Sequence, residues 1–243
     1  MRLKLDSRGQ RSALWTYASP VLALILTVIT AGGIFALMGH DPGTALYTFL
    51  VAPIVTATGL AELCVKAAPL ILIGVGLSLG FRANVWNIGA EGQFTLGAIF
   101  AGGLALHVGE DGGWWTFPAM MLVGLLGGMV WAAIPALLRT RFNASEILTS
   151  LMLTYVAQLL LIYLVTGPWK DPEGYGFPQT AIFGAAATAP ILVAETRLHL
   201  GVAVAVAVAV LGWVVLSRSL LGFQLRVVGL APRAAAFAGF HQP

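Results

Sequence analysis

The side chains of this chain best suited to chemistry gather in one short stretch, Arg82-Ala-Asn-Val-Trp-Asn-Ile-Gly-Ala-Glu-Gly-Gln-Phe94. Asn84, Asn87, Glu91 and Gln93 fall within ten residues of one another and offer three amides and a carboxylate. Strongly apolar segments flank them, 68–81 before and 95–106 after. Between two such segments every polar group needs a partner or a polar cavity. Two readings stand. In one, the stretch is a short loop at a membrane face, Asn87 caps the following helix, and Glu91 sits in its first turn, where the helix dipole favours an anion. In the other, it is non-helical backbone lining a polar pathway, with amides and side chains turned to a solute.

Other chemistries find little support. The lysines are Lys4, Lys66 and Lys170, and none follows a phosphate-binding glycine loop, so ATP is not bound through that motif. Gly76-Leu-Ser-Leu-Gly80 fits the pattern of a hydrolase nucleophile elbow, but it lies inside an apolar segment rather than at a strand-turn-helix corner. Close helix approach is the better use for those glycines, together with Gly124 and Gly128. His40, His107, His199 and His241 are isolated, and Cys64 is the only cysteine, so neither a metal site nor a disulfide is expected. Asn143-Ala-Ser145 is a glycosylation sequon by pattern, on the side read below as inner. The arginines are scattered singly between apolar runs, which argues against a nucleic-acid partner.

The elements that must position the polar stretch follow from composition. The chain has 243 residues, 58% of them hydrophobic and only 9% charged. Soluble domains carry about 25% charged residues, so this is an all-α polytopic membrane protein. Six spans are expected, at about 14–38, 60–81, 94–108, 117–138, 147–166 and 198–216. The first is too long for the apolar core of a signal peptide, with no clear cleavage site behind it, and is read as uncleaved. Residues 44–57, short and holding Pro53, read as an interfacial helix. Glu62 and Lys66 are four apart and can pair on one helix face. Trp114 and Trp115 suit a membrane interface. Val202–Val210 alternates Val with Ala at a strand-like period, yet neither face is polar, so a helix apolar all round is expected.

Six spans with an inner N-terminus place Arg2, Lys4, Arg8, Arg11, Arg82, Arg139, Arg141, Arg218, Arg226 and Arg233 inside, ten of the thirteen basic residues. Only Lys66, Lys170 and Arg197 fall outside. This agrees with the positive-inside rule at each loop. Residues 217–240 form a basic, mildly amphipathic stretch. It could anchor to anionic lipid, but Gly229, Pro232, Ala234, Ala235, Ala236 and Gly239 make one face small enough for a partner's backbone to approach.

Three motifs then coincide. Asn87-Ile-Gly-Ala-Glu-Gly-Gln93, Ala144-Ser-Glu-Ile-Leu-Thr-Ser-Leu-Met-Leu-Thr-Tyr155 and Leu225-Arg-Val-Val-Gly-Leu-Ala-Pro-Arg-Ala-Ala-Ala-Phe-Ala-Gly239 resemble, in order and spacing, permease subunits of bacterial ABC importers of the simple-sugar and nucleoside type. The broader group is the ribose and branched-chain amino acid permease family. The resemblance covers about residues 60–240. It implies a single transmembrane permease domain, 1–243, in the bacterial inner membrane, without enzymatic activity or cofactor of its own. It also implies three protein partners: a separate ABC ATPase, a second permease subunit and an extracytoplasmic substrate-binding protein. Asn84, Asn87, Glu91 and Gln93 would face the solute, a neutral, hydroxylated nucleoside or sugar. The loop 217–240 would couple to the ATPase through Arg226, Gly229, Arg233, Ala234, Ala235 and Gly239. Family members continue with further spans, so the end at Pro243 is expected to be a truncation. A stand-alone secondary transporter is the alternative. It would need ionisable residues at mid-membrane, which the middles of the six expected spans lack.

Overall fold

A computed structural model describes residues 12–240; Arg2, Lys4, Arg8, Arg11 and His241 lie outside the described residues. The chain divides into two compact units, Met1–Cys64 and Val65–Pro243. Among the described residues, six helices are long and apolar enough to cross a membrane. They are α1 (Ala13–Leu37), α4 (Ala57–Arg82), α5 (Ala90–Val108), α6 (Thr116–Phe142), α7 (Glu146–Thr166) and α8 (Leu200–Arg218). α4 carries the division between the units inside it.

In the first unit, α1 is followed by a turn that Asp41 and Pro42 convert into a new helix start. The Asp41 carboxylate accepts the Thr44 amide N–H at 2.7 Å, and Pro42 takes a first-turn position where no N–H is needed. The expected interfacial helix is broken into α2 (Pro42–Leu46), a π-helical turn over Tyr47–Val51 and α3 (Ala52–Val55). Pro53 lies in the first turn of α3, where its ring is tolerated.

The second unit is built on α5, α6 and α7. Their polar residues are few, so small residues set many of the contacts, as between helices in lipid. α6 runs antiparallel to α5. A Cβ added at Gly124 would lie 3.1 Å from the Gly97 carbonyl oxygen, and one at Gly128 would lie 3.2 Å from that of Gln93. α7 runs parallel to α5, with Gly89 against Ser150 and Gly92 against Thr154. Leu96, Ile99 and Ala157 form the buried centre, with Trp131, Leu160, Leu164 and Trp169 around it. The Trp131 indole N–H donates to the Leu153 carbonyl at 3.3 Å, tying α6 to α7.

The long connection from α7 to α8 folds back over one end of this bundle. Trp169 packs on Gly103, Phe183 on Gly102, and Gly184 on the Gly109 carbonyl. His199 starts α8, its Nδ1 accepting the Gly201 N–H at 3.1 Å. The Val-Ala run is helical, as its two apolar faces require. Arg82, Arg139, Arg141 and Arg218 lie in the last turns of α4, α6 and α8, at the other end of the unit, called here the basic end.

Two expectations are corrected. The third span starts at Ala90 rather than Phe94, because Gly89 and Gly92 let the chain turn helical while pressed against α7. Among the described residues, Gly76 meets nothing within 4 Å and Gly80 only the Val85 carbonyl of its own capping turn, so this glycine pair joins no two described helices.

Candidate functional site

The polar stretch begins where α4 ends. Asn84 takes φ 59°, a left-handed conformation that Asn tolerates better than most residues. The Val85 N–H then reaches back to the Gly80 carbonyl at 2.9 Å, and the Asn84 N–H to that of Phe81 at 3.1 Å. This pattern closes a helix through the backbone. The Asn84 side chain accepts the Trp86 indole N–H at 3.1 Å.

The backbone from Val85 to Gly89 is not helical, and side chains satisfy part of it. The Ile88 N–H donates to Ser150 Oγ at 3.2 Å, and the Gly89 N–H to Asn87 Oδ1 at 2.9 Å. The Asn87 amide N–H donates in turn to Gln93 Oε1 at 3.1 Å. Asn87 is therefore not the cap residue itself. Gly89 holds that place, because a Cβ there would lie 2.6 Å from the Ser150 carbonyl oxygen, and Asn87 supplies its oxygen from two residues earlier. Ser150 lies four residues into α7, so α5 starts about 6 Å deeper than α7 at 1.5 Å per residue.

Glu91 lies in the first turn of α5 and is exposed; its carboxylate accepts the Gln158 amide N–H at 2.9 Å. Gln158 is twelve residues along the 21-residue α7, about 18 Å from its start. Gln158 therefore stands near the middle of α7 and reaches Glu91, in the first turn of α5, on an open face of the bundle. Asn87 and Gln93 take a different direction. With Ser150, Thr140, Arg139 and Glu146 they line a cavity of about 360 Å³, whose remaining wall is Val85, Ala132, Pro135 and Ala136. Arg139 Nε and Glu146 Oε2 stand 3.4 Å apart there and bridge α6 to α7. The structure thus separates the four predicted residues: Asn87 and Gln93 share one cavity, Glu91 faces outward, and Asn84 caps α4.

A second cavity, about 990 Å³, opens at the basic end, between the end of α4 and two short helices, α9 (Leu220–Leu230) and α10 (Pro232–Phe237). Val85, Arg139 and Glu146 line both cavities and form their common wall. The Arg82 guanidinium donates to the Leu216 carbonyl at 2.9 Å, holding α4 to α8. Gly229 of α9 sits against the Arg82 carbonyl, closer than any side chain would allow.

The expected small-residue face is therefore split. Gly229 and the fully buried Ala235 turn toward the chain itself, while Arg226, Arg233 and Ala234 are exposed. Gly239, at φ 77°, closes α10, with the Phe240 N–H donating to the Ala235 carbonyl at 3.0 Å. Leu230 and Phe237, 81% and 94% exposed, stand beside these arginines.

Sequence reasoning on the polar stretch passes over Ser150, Thr154 and Gln158. Their signal is a spacing of four along one face of an otherwise apolar span.

Residues 59–242 match the family described as the permease component of the branched-chain amino acid transport system. A glucose ABC transporter permease of Haloferax volcanii is 37% identical over 98% of this chain and 65% of its own length. A guanosine ABC transporter permease of Bacillus subtilis is 28% identical over 90% of this chain and 63% of its own. A nucleoside ABC transporter permease of Lactococcus lactis is 23% identical over 90% and 62%. The chain thus spans slightly less than two thirds of the length of these relatives. No solved structure matches it. With more than two thirds of its residues under the family match, the chain belongs to the permease family of the branched-chain amino acid transport system.

Proposed function

We propose that this chain is a membrane-spanning subunit of an ATP-driven importer that carries a sugar or a nucleoside across the bacterial inner membrane. The observation that carries the reading is the Glu91–Gln158 pair, a carboxylate and an amide bonded at 2.9 Å on an exposed face between two spans. Facing acyl chains, such a pair would cost several kcal/mol, so it belongs beside a polar route or a partner subunit that encloses one. The relatives that carry glucose, guanosine and nucleosides in their names point to a neutral hydroxylated solute.

In this reading the basic end and the N-terminus are cytoplasmic, which agrees with the charge asymmetry. A second permease covers the Glu91 face. An extracytoplasmic binding protein delivers solute to the end roofed by Trp169 and Phe183. Residues 217–240 form the coupling loop, and an ABC ATPase seats on the exposed side of α9 and α10, at Arg226, Arg233 and Ala234. Gly229 rests that seat on the end of α4, Ala235 is buried beneath it, and Gly239 ends it.

Purification in gentle detergent from the native cell tests the assembly. The expected result is co-purification of an ATPase and a second permease. Charge reversal at Arg226 and Arg233 together should remove the ATPase and leave the permease partner. A chain recovered alone at normal abundance refutes the importer reading.

A further inference from the structure

We infer that Glu91 and Gln158 form a solute filter, one that accepts neutral molecules presenting two adjacent hydrogen-bond donors and turns anions away. The inference rests on the permease reading and adds the chemistry of its selectivity.

One Gln158 amide N–H is spent on Glu91 Oε1. What the pair leaves open is dominated by acceptors. An ionised carboxylate has about four lone-pair sites, of which this contact uses one, and the Gln158 carbonyl adds another acceptor. Among the described residues Glu91 forms no ion pair, so its charge is not cancelled by a neighbouring cation. The pair therefore gains most from a solute that brings hydrogen-bond donors to it. Two donors on neighbouring atoms match the two oxygens of one carboxylate. The vicinal hydroxyls of a sugar ring offer that pattern, as does the N–H edge of a guanine base.

An anion meets the opposite situation. It brings acceptors to acceptors and a like charge to a carboxylate that no described cation neutralises. The two residues have distinct parts. Glu91 supplies the charge and both oxygens. Gln158, from another helix, fixes the carboxylate's direction, which a glutamate at the start of α5 could not do alone.

The test uses the assembled transport complex in proteoliposomes, with labelled D-glucose and guanosine as neutral probes. Glucose 6-phosphate and guanosine 5′-monophosphate serve as their anionic counterparts. One neutral probe should be carried, and its phosphate ester should not compete at ten-fold excess. Glu91→Gln should raise KM for the neutral probe about ten-fold or more, the worth of a charge-assisted hydrogen bond, with little change in the maximal rate. It should also let the phosphate ester compete, which a purely structural role for Glu91 would not produce. Glu91→Asp, which keeps the charge, should keep the anion excluded. Unchanged KM and unchanged anion exclusion in Glu91→Gln would overturn the filter and leave the permease reading standing. Uptake of neither neutral probe by the wild-type complex would overturn both. If Glu91→Gln does not assemble, Gln158→Leu decides in its place, because the binding protein also sorts solutes in the wild type; an unchanged KM for the neutral probe in that variant refutes the filter.

Discussion

Replacing Gly92 by alanine should destabilise the α5–α7 contact, while the same replacement at Gly76 should not. A Cβ at position 92 would lie 2.7 Å from Thr154 Cα, 3.0 Å from its Oγ1 and 3.2 Å from its backbone nitrogen. Two of those atoms belong to the α7 backbone, so no rotamer change relieves the overlap. Ordinary contact begins near 3.4 Å, and the helices must part by about 0.7 Å at that point (3.4 less 2.7). Overpacking of this kind costs about 1–3 kcal/mol. Alanine also gains about 1 kcal/mol of helix propensity over glycine at both sites. Gly76, with nothing within 4 Å, is therefore the internal control, and the difference between the two variants isolates the contact.

For a chain of this size 1 kcal/mol moves the melting temperature by about 2–4 °C, so Gly92→Ala should melt about 2–12 °C below Gly76→Ala. Intrinsic tryptophan fluorescence in detergent follows the unfolding, and Trp131, which bridges α6 to α7 beside the contact, is one of the seven tryptophans that report it. Equal melting temperatures would mean that α7 is not seated on Gly92, and the depth assigned to Glu91 would fall with it.

Gly229→Ala should loosen α9 from the end of α4, since the added carbon would collide with the Arg82 carbonyl. Faster proteolysis within 220–240, with α4–α8 still protected, is the expected readout, and unchanged proteolysis would show that α9 does not rest there. Hydrogen bonds from Thr44, first from its side chain and then from its backbone N–H, made at the start of α2 outside the long spans, hold the exposed Asp41 carboxyl below its ordinary value. A lowered carboxyl contributes stability above its unfolded value and loses it as pH falls through the folded one. Exchange protection of the Thr44 amide should therefore collapse at acid pH. In Asp41→Asn, whose amide oxygen caps without titrating, protection should be flat with pH, and a matching collapse there would refute the cap.

The six spans were legible in the sequence because bilayer thickness fixes helix length and leaves apolar runs little other use. Their ends were less so. Hydropathy starts the third span at Phe94, because Ala90, Glu91, Gly92 and Gln93 interrupt the apolar run, although the capping reading already sets Glu91 in a first helical turn. The helix forms there because Gly89 and Gly92 meet Ser150 and Thr154, residues some 60 positions further on, and local composition cannot register that contact. The residues of the proposed coupling loop divide along the same line. Exposure of Arg226 and Arg233 follows from charge alone. The inward turn of Gly229 depends on the Arg82 carbonyl, which the spacing of small residues does not reveal.

The same long-range contact bears on the two readings of the polar stretch, which turn out to be compatible. Glu91 does stand in a first helical turn, where the dipole of α5 favours its charge, as the capping reading holds. Yet that turn is sunk about 6 Å below the start of α7, and Gln158 meets the carboxylate from further in. Such a sunken helix start needs its leading backbone satisfied by something other than water, and Asn87 and Ser150 do that. Polar residues that look redundant in the sequence thus have separate tasks. Asn84 ends one helix, Asn87 and Ser150 serve the backbone between helices, and the carboxylate of Glu91, bonded once by Gln158, keeps open acceptors alongside α7.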